Sequence, residues 1–228
     1  MGNWWPASAG AATAAATTKV VLVGATETGK SHFLAHAIGD GSQTACPTFG
    51  TSRETCIHNG VAIEFMESGS LAHRSGGPEY CQMLLEPFFG RDHWKCSVAP
   101  GGATGCLAWF IDEHDTVEDI HLARNDVIFI QRYFADKLSL LVVYNMGRPR
   151  VRRRAIVPGS QGHPVWREAV DDPKPPPTVH VAVHWEYLAD VIDQRWLESV
   201  FARVMVTQLS YRDNRTIYSI LDWLTVGK

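Results

Sequence analysis

The residues best suited to chemistry in this sequence form one segment, Gly24-Ala25-Thr26-Glu27-Thr28-Gly29-Lys30-Ser31. The segment fits the pattern G-x-x-x-x-G-K-S/T between an apolar run and a stretch of helical spacing. Its glycines let the main chain wrap closely around phosphates, so that successive N–H groups and the helix N-terminus, including His32, face the anion. Lys30 is then expected to neutralise the terminal phosphates, and the Ser31 hydroxyl to bind a magnesium ion that bridges them. The implied ligand is a nucleoside triphosphate with Mg²⁺.

The flanking segments predict how this loop is held in place. Val20-Val21-Leu22-Val23 is short and β-branched, which is typical of a strand buried on both faces. Apolar residues recur at helical spacing from Lys30 to Ile38, and Gly39 follows as a C-cap glycine would. Asn59-Gly60, between two extended segments, is the strongest hairpin signal in the chain. The sequence therefore predicts a strand, loop and helix followed by an antiparallel ribbon.

Strand-like and helical segments alternate along the rest of the chain. Strands are predicted over 106–111, 138–144 and 204–209, helices over 117–135, 185–192 and 216–224, and a broken helix over 83–89. The alternation indicates an α/β fold with a parallel sheet. Folded structure is expected to begin at Lys19, after a mobile tail at 1–18, and 146–179 is interpreted as an insertion or long loop.

Composition limits the possible classes of protein. At 228 residues with 45% hydrophobic and 20% charged residues, the chain suits one large globular domain without a membrane-spanning apolar run. A net charge of −3 gives no global attraction to nucleic acid or anionic lipid. The five cysteines form no C-x-x-C pair, so neither a disulfide framework nor a structural zinc site is indicated. Together with the lack of a secretory signal pattern, this predicts a cytoplasmic location.

Three further segments carry a family resemblance. Pro47-Thr48-Phe49-Gly50 follows the phosphate loop, Met1-Gly2-Asn3-Trp4-Trp5 opens the chain, and Leu221-Asp222-Trp223-Leu224 lies in the predicted last helix. In these segments the chain resembles the ADP-ribosylation-factor (Arf) and Arf-like small GTPases. The resemblance implies a P-loop NTPase fold of Ras-like type, with a doubly wound, mostly parallel six-stranded sheet flanked by helices. Residues 19–228 would form an Arf-like G domain with insertions at about 82–104 and 146–179.

The resemblance also implies roles for individual residues. The ligands would be GTP or GDP with Mg²⁺, and Thr48 would close over the magnesium ion and the terminal phosphate. Gly69 would offer its N–H to that phosphate, and Glu67 stands where the family has an aspartate that reaches magnesium through water. Asn145 matches the first residue of the guanine-reading signature N-K-x-D. The expected metal site therefore combines Ser31, Thr48 and Glu67.

Two departures from the family pattern bear on activity. The family signature D-x-G-G-Q reads Glu67-Ser68-Gly69-Ser70-Leu71, and Leu71 can neither donate nor accept the hydrogen bond that orients the attacking water. We therefore expect very slow GTP hydrolysis and assign no catalytic residue. In the base-reading signature, Arg148 replaces an aspartate, and a guanidinium offers only donors to the guanine edge. The choice between guanine and another base stays open.

The termini and loops suggest partners. Gly2 is a candidate for myristoylation, and Trp4 and Trp5 suit a membrane interface; the alternative is that both tryptophans are disordered or packed on the sheet. The segment Arg148–Arg154 holds five arginines among seven residues, which suits either a solvated loop or contact with lipid headgroups, acidic protein or RNA. We expect the protein to be a monomer that binds effector or regulatory proteins. We expect no nucleic acid partner, because the net charge of the chain is negative.

Three functions remain open on these patterns. The first is an Arf-like, GTP-dependent switch in membrane or ciliary trafficking with impaired hydrolysis. The second is a pseudo-GTPase scaffold that binds partners through its insertions regardless of nucleotide. The third is a P-loop small-molecule kinase in which the arginine cluster closes over transferring phosphates.

Overall fold

A computed structural model describes residues 17–25, 28–39, 51–68, 85, 88–89, 104–132, 137–146, 154–158, 164–168, 183–210 and 214–226. The strands are β1 (Thr17–Val23), β2 (Thr51–His58), β3 (Val61–Ser68), β4 (Thr104–Asp112), β5 (Ser139–Asn145), β6 (Arg154–Pro158), β7 (Pro164–Glu168) and β8 (Arg203–Leu209). The helices are α1 (Lys30–Ala37), α2 (Val117–Arg132), α3 (Trp185–Val191), α4 (Gln194–Val200) and α5 (Arg215–Thr225).

The main sheet has six strands in the order β2-β3-β1-β4-β5-β8. All neighbouring pairs are parallel except β2 and β3, which form an antiparallel hairpin. Its turn places Asn59 at φ 50° and Gly60 at φ 76°, the two positive φ values that a tight two-residue hairpin turn requires. The predicted doubly wound, mostly parallel six-stranded sheet with flanking helices is confirmed.

Helices cover both faces of the sheet and create two cores. Along β1, Val20 and Leu22 point into one core, whereas Val21 and Val23 point into the other, because successive strand residues face opposite sides. One core is completed by α1 and α5, and the other by α2, α3 and α4. This two-sided burial explains why β1 and β5 read as continuous apolar runs.

The last helix shows the predicted amphipathic pattern. Its buried residues are Ile217, Ile220, Leu221 and Leu224, the four that share one face in the sequence. On its exposed side, Asp222 accepts hydrogen bonds from His58 at 2.7 Å and from Asn59 at 2.9 Å. The helix therefore also fixes the turn between β2 and β3.

Several boundaries differ from the sequence expectations. Thr17 and Thr18, which we assigned to the tail, belong to β1, and the Thr18 hydroxyl donates to the carbonyl of Leu224 at 3.3 Å. The presumed loop at 146–179 contains a hairpin, in which β6 pairs antiparallel with β7. Helix α4 was missed because its single buried residue, Leu197, leaves no periodic apolar face to detect.

Other segments lie partly outside the described residues. Of the predicted broken helix at 83–89, Leu85, Phe88 and Phe89 are described; they are helical and buried. The tail at 1–16 and most of the first insertion are not described. Within the described part of the chain, none of the helices is both long and apolar enough to cross a bilayer.

Candidate nucleotide-binding site

The candidate site lies at the carboxyl edge of the parallel strands, where α/β proteins bind ligands. The phosphate loop leaves β1 at Gly24, and the adjacent strands β3 and β4 end near Glu67 and Asp112. Asn145 ends β5 and is the register partner of Asp112. Strand pairing therefore brings together residues that are far apart in sequence.

Two glycines give the loop its shape. Gly24 has φ +141° and Gly29 has φ +92°, values that residues with a side chain rarely adopt. A Cβ atom on Gly24 would lie only 2.5 Å from the main-chain oxygen of Phe110. Gly29 caps the start of α1, and its carbonyl accepts from the N–H of Phe33 at 2.9 Å. The motif glycines are thus required by backbone conformation and by close approach to β4.

Lys30 places a positive charge inside the loop. Its ammonium group donates to the carbonyls of Gly24 at 3.0 Å and Ala25 at 2.7 Å, and the side chain is 4% exposed. The Thr28 hydroxyl donates to the same Ala25 carbonyl at 2.9 Å. These contacts fold the loop around the ammonium group, which is the charge that a bound polyphosphate needs.

A serine and a glutamate meet across the site. The Ser31 hydroxyl, in the first turn of α1, donates to Glu67 Oε1 at 2.6 Å, and Glu67 is 3% exposed. The longer glutamate side chain therefore reaches the serine in place of the shorter aspartate that the family resemblance implies. A hydroxyl and a carboxylate are the hard oxygen donors that Mg²⁺ prefers. The residues present fit a magnesium ion.

Asn145 joins the carboxyl end of β5 to the loop that follows β1. It is fully buried, and its Nδ2 donates to the main-chain oxygen of Thr28 at 3.1 Å. Its Oδ1 has no hydrogen-bond partner among the described residues. A buried acceptor of this kind is costly unless a ligand or solvent supplies a donor. Its position supports a polar ligand beside the loop.

An acidic turn after β4 was not predicted. Asp115 accepts a hydrogen bond from the Asp112 N–H at 2.8 Å, and Asp112 accepts from the His114 N–H at 3.0 Å. Burial raises the pKa of Asp115 to about 6, and the nearby charges of Asp112 and Asp119 add to the effect. The signal in the sequence was available, because carboxylates that directly follow a buried strand lie at the ligand-binding edge.

We expect Asp115→Asn to stabilise the fold at neutral pH. Folding raises the pKa of Asp115 from 3.8 to about 6. Between these two pH values the unfolded chain ionises this carboxyl more readily than the folded chain, so the folded state loses stability as the pH rises. Asparagine keeps the acceptor oxygen without the buried charge, and the gain at pH 7 should reach about 3 kcal/mol. Urea unfolding at several pH values measures it. A gain in stability of the same size at pH 3 and at pH 7 would contradict a raised pKa of Asp115.

The structure describes nine of the thirteen expected site residues. The expected residues that it describes are Gly24, Ala25, Thr28, Gly29, Lys30, Ser31, His32, Glu67 and Asn145. All of them lie on the phosphate loop, in the first turn of α1 or at the ends of β3 and β5. The remaining expected residues, Thr26, Glu27, Thr48 and Gly69, lie outside the described part, as do Leu71 and Arg148.

The strand order, the glycine-shaped loop after β1 and the buried lysine define a Ras-like P-loop GTPase fold. No family model and no curated protein matches the sequence. The chain is similar to the solved structure of the Arl6 BBS3 small GTPase from Trypanosoma brucei with bound nucleotide analogue GppNp. The identity is 12%, the match covers 91% of this chain and 95% of that chain, and the TM-score is 0.55. At this identity the likeness shows the fold alone.

Proposed function

We propose that this protein is a small GTP-binding switch. The observation that carries the proposal is the hydrogen bond between the Ser31 hydroxyl and Glu67, beside a loop that encloses the Lys30 ammonium group. A phosphate-binding loop needs a positive charge, exposed main-chain N–H groups and oxygen ligands for magnesium in one place. The likeness to a small GTPase with a bound GppNp analogue supports a guanine nucleotide as the ligand.

Each residue has a distinct task in this proposal. The loop N–H groups bind the phosphates, and Lys30 neutralises their charge. Ser31 and Glu67, together with Thr48, would hold Mg²⁺, which shields the negative charge of the phosphate oxygens. Asn145 would keep the end of β5 against the loop through its Nδ2 and present its side-chain oxygen, Oδ1, to the nucleotide.

The switch would act through β3 and the hairpin that it forms with β2. Glu67 lies near the end of β3 and contacts Ser31 in the first turn of α1, so a change at the terminal phosphate would reach β3 directly. Eight consecutive residue pairs connect β3 to β2, from Thr51–Ser68 to His58–Val61. A displacement of β3 would therefore move the exposed edge strand β2, which would present a different surface to an effector.

Hydrogen–deuterium exchange tests the switch. The full chain is compared with GDP and with GppNp, both in excess Mg²⁺. The proposal predicts stronger protection with GppNp in 46–50 and 67–71 and altered exchange in β2. Identical exchange with the two nucleotides would contradict a switch even if both bind.

Hydrolysis is expected to be slow because Leu71 cannot orient a water molecule. We therefore predict that Leu71→Gln raises the single-turnover rate of GTP hydrolysis by about tenfold or more, since a positioned polar group contributes about 10²–10⁴-fold in favourable cases. Release of inorganic phosphate from preloaded protein measures the rate. Leu71→Met serves as the control for side-chain replacement, and an equal rate in both variants would disprove the role of Leu71.

The finer parts of the proposal rest on the Arf resemblance. They are a role in membrane or ciliary trafficking and peripheral membrane contact through Gly2, Trp4 and Trp5, whereas the proposed cytoplasmic location rests on the cysteine pattern. Flotation with liposomes of neutral composition tests the membrane contact in the full chain, with Trp4→Ser/Trp5→Ser as the variant. Loss of flotation in the variant supports contact through the tail, and equal recovery of both proteins contradicts it.

A scaffold is the second candidate. The observation that favours it is the β6–β7 hairpin, which follows the base-reading segment at 145–148 and gives the second insertion a regular structure. A scaffold would bind its partners equally well with and without nucleotide. A partner captured by the full chain, and retained unchanged after nucleotide is removed, would favour the scaffold over the switch.

A further inference from the structure

Two histidines on α1 face each other one turn apart. His32 and His36 occupy positions i and i+4, and their side chains meet because such positions lie on the same side of a helix. The ring centroids are 4.9 Å apart, and the two Nε2 atoms are 3.2 Å apart. Both residues are half-buried. At this distance one imidazole can donate its Nε2 proton to the other.

We propose that His32 and His36 form a chelating site for a divalent transition-metal ion such as Cu²⁺, Ni²⁺ or Zn²⁺. Imidazole nitrogens bind such ions at 2.0–2.1 Å. Two nitrogens that bind the same ion therefore lie about 2.8 to 3.4 Å apart when the N–metal–N angle is between the square-planar and the tetrahedral value. The Nε2 separation of 3.2 Å falls within this range. The ion would take the place of the shared proton, and the donating ring would move its proton from Nε2 to Nδ1.

The site is chemically different from the magnesium site beside it. Mg²⁺ prefers oxygen ligands, whereas neutral imidazole suits copper, nickel and zinc. The expected contact of His32 with phosphate uses its main-chain N–H, whereas the proposed site uses its imidazole ring. No cluster of three His, Cys, Asp or Glu side chains with metal-binding geometry occurs in the described part of the chain, so the proposal rests on the two imidazoles alone. The order of affinities should place Cu²⁺ above Ni²⁺ and Zn²⁺.

Copper titration of the full chain, prepared without a histidine tag and without nucleotide, tests this site. Excess Mg²⁺ is present throughout to occupy oxygen sites. We expect one equivalent of Cu²⁺ to bind with an electron paramagnetic resonance spectrum that shows coupling to two imidazole nitrogens. His36→Ala should weaken binding by about tenfold or more, since even the loss of an outer contact to a metal ligand costs about 10–100-fold.

His121→Ala is the matched control, because His121 is an exposed histidine on α2. The copper affinity of the His121→Ala variant should equal that of the unmodified chain. Unchanged binding in His36→Ala, or a spectrum of the unmodified chain with fewer than two imidazole nitrogens, overturns the proposal. The spectrum decides the question even if His36→Ala fails to fold. Neither result depends on nucleotide binding, so the proposed switch function is tested separately.

Discussion

Lys30→Met should weaken the binding of GTP with Mg²⁺ by about 30-fold or more, because the ammonium group is the positive charge enclosed by the loop. Truncating one partner of a buried, hydrogen-bonded charge pair costs about 2–5 kcal/mol. Methionine preserves most of the side-chain volume, so the change removes charge and hydrogen bonds rather than packing. Isothermal titration calorimetry measures the affinity.

Lys137→Met is the matched control for this prediction. Lys137 is exposed and donates to the main-chain oxygen of Ser199 at 2.7 Å. Its loss removes the same formal charge outside the candidate site and should leave the nucleotide affinity unchanged. Circular dichroism establishes that both variants are folded. Equal affinity in Lys30→Met and the unmodified chain would show that the loop does not bind phosphate through this residue.

Gly24→Ala is expected to lower the free energy of unfolding by about 2–5 kcal/mol, the sum of backbone strain and overpacking. The strain follows from φ +141°, and the overpacking follows from a Cβ atom placed 2.5 Å from the Phe110 oxygen and 3.0 Å from the Thr28 hydroxyl. The Phe110 oxygen belongs to the main chain of β4 and cannot move aside without disturbing the sheet. Urea unfolding followed by circular dichroism measures the loss.

Gly39→Ala separates strain from overpacking. Gly39 has φ +88°, but nothing lies within 4 Å of the Cβ atom that alanine would add. Only the left-handed backbone is penalised there, at about 1–2 kcal/mol. Equal losses of stability in Gly24→Ala and Gly39→Ala would show that contact with β4 does not constrain the phosphate loop.

Much of the fold could be predicted because its signals are local. The apolar runs of β1, β4 and β5, the Asn59-Gly60 turn and the single apolar face of α5 each follow from spacing within one segment. The hairpin at 154–158 and 164–168 was missed because arginines, prolines and glycines dominate its surroundings. Strand pairing, not local propensity, holds such a segment in an extended conformation.

The candidate site could be predicted in part. The phosphate loop has a sequence pattern with a physical reason, and Glu67 and Asn145 were found by resemblance. The contact between Ser31 and Glu67 depends on β1 pairing with β3 in one register, from Thr17–Ala62 to Leu22–Glu67, which no local pattern specifies. The raised pKa of Asp115 depends on burial, which becomes visible only when the strands are assembled.

Calorimetric titration of the full chain with GTP, in the presence and absence of Mg²⁺ and beside a parallel titration with ATP, tests the central claim most directly. A switch that uses this loop predicts saturable one-to-one binding of GTP that weakens when Mg²⁺ is removed, and weaker binding of ATP. The absence of saturable binding by any nucleotide, with Mg²⁺ present and the chain folded, would contradict the claim.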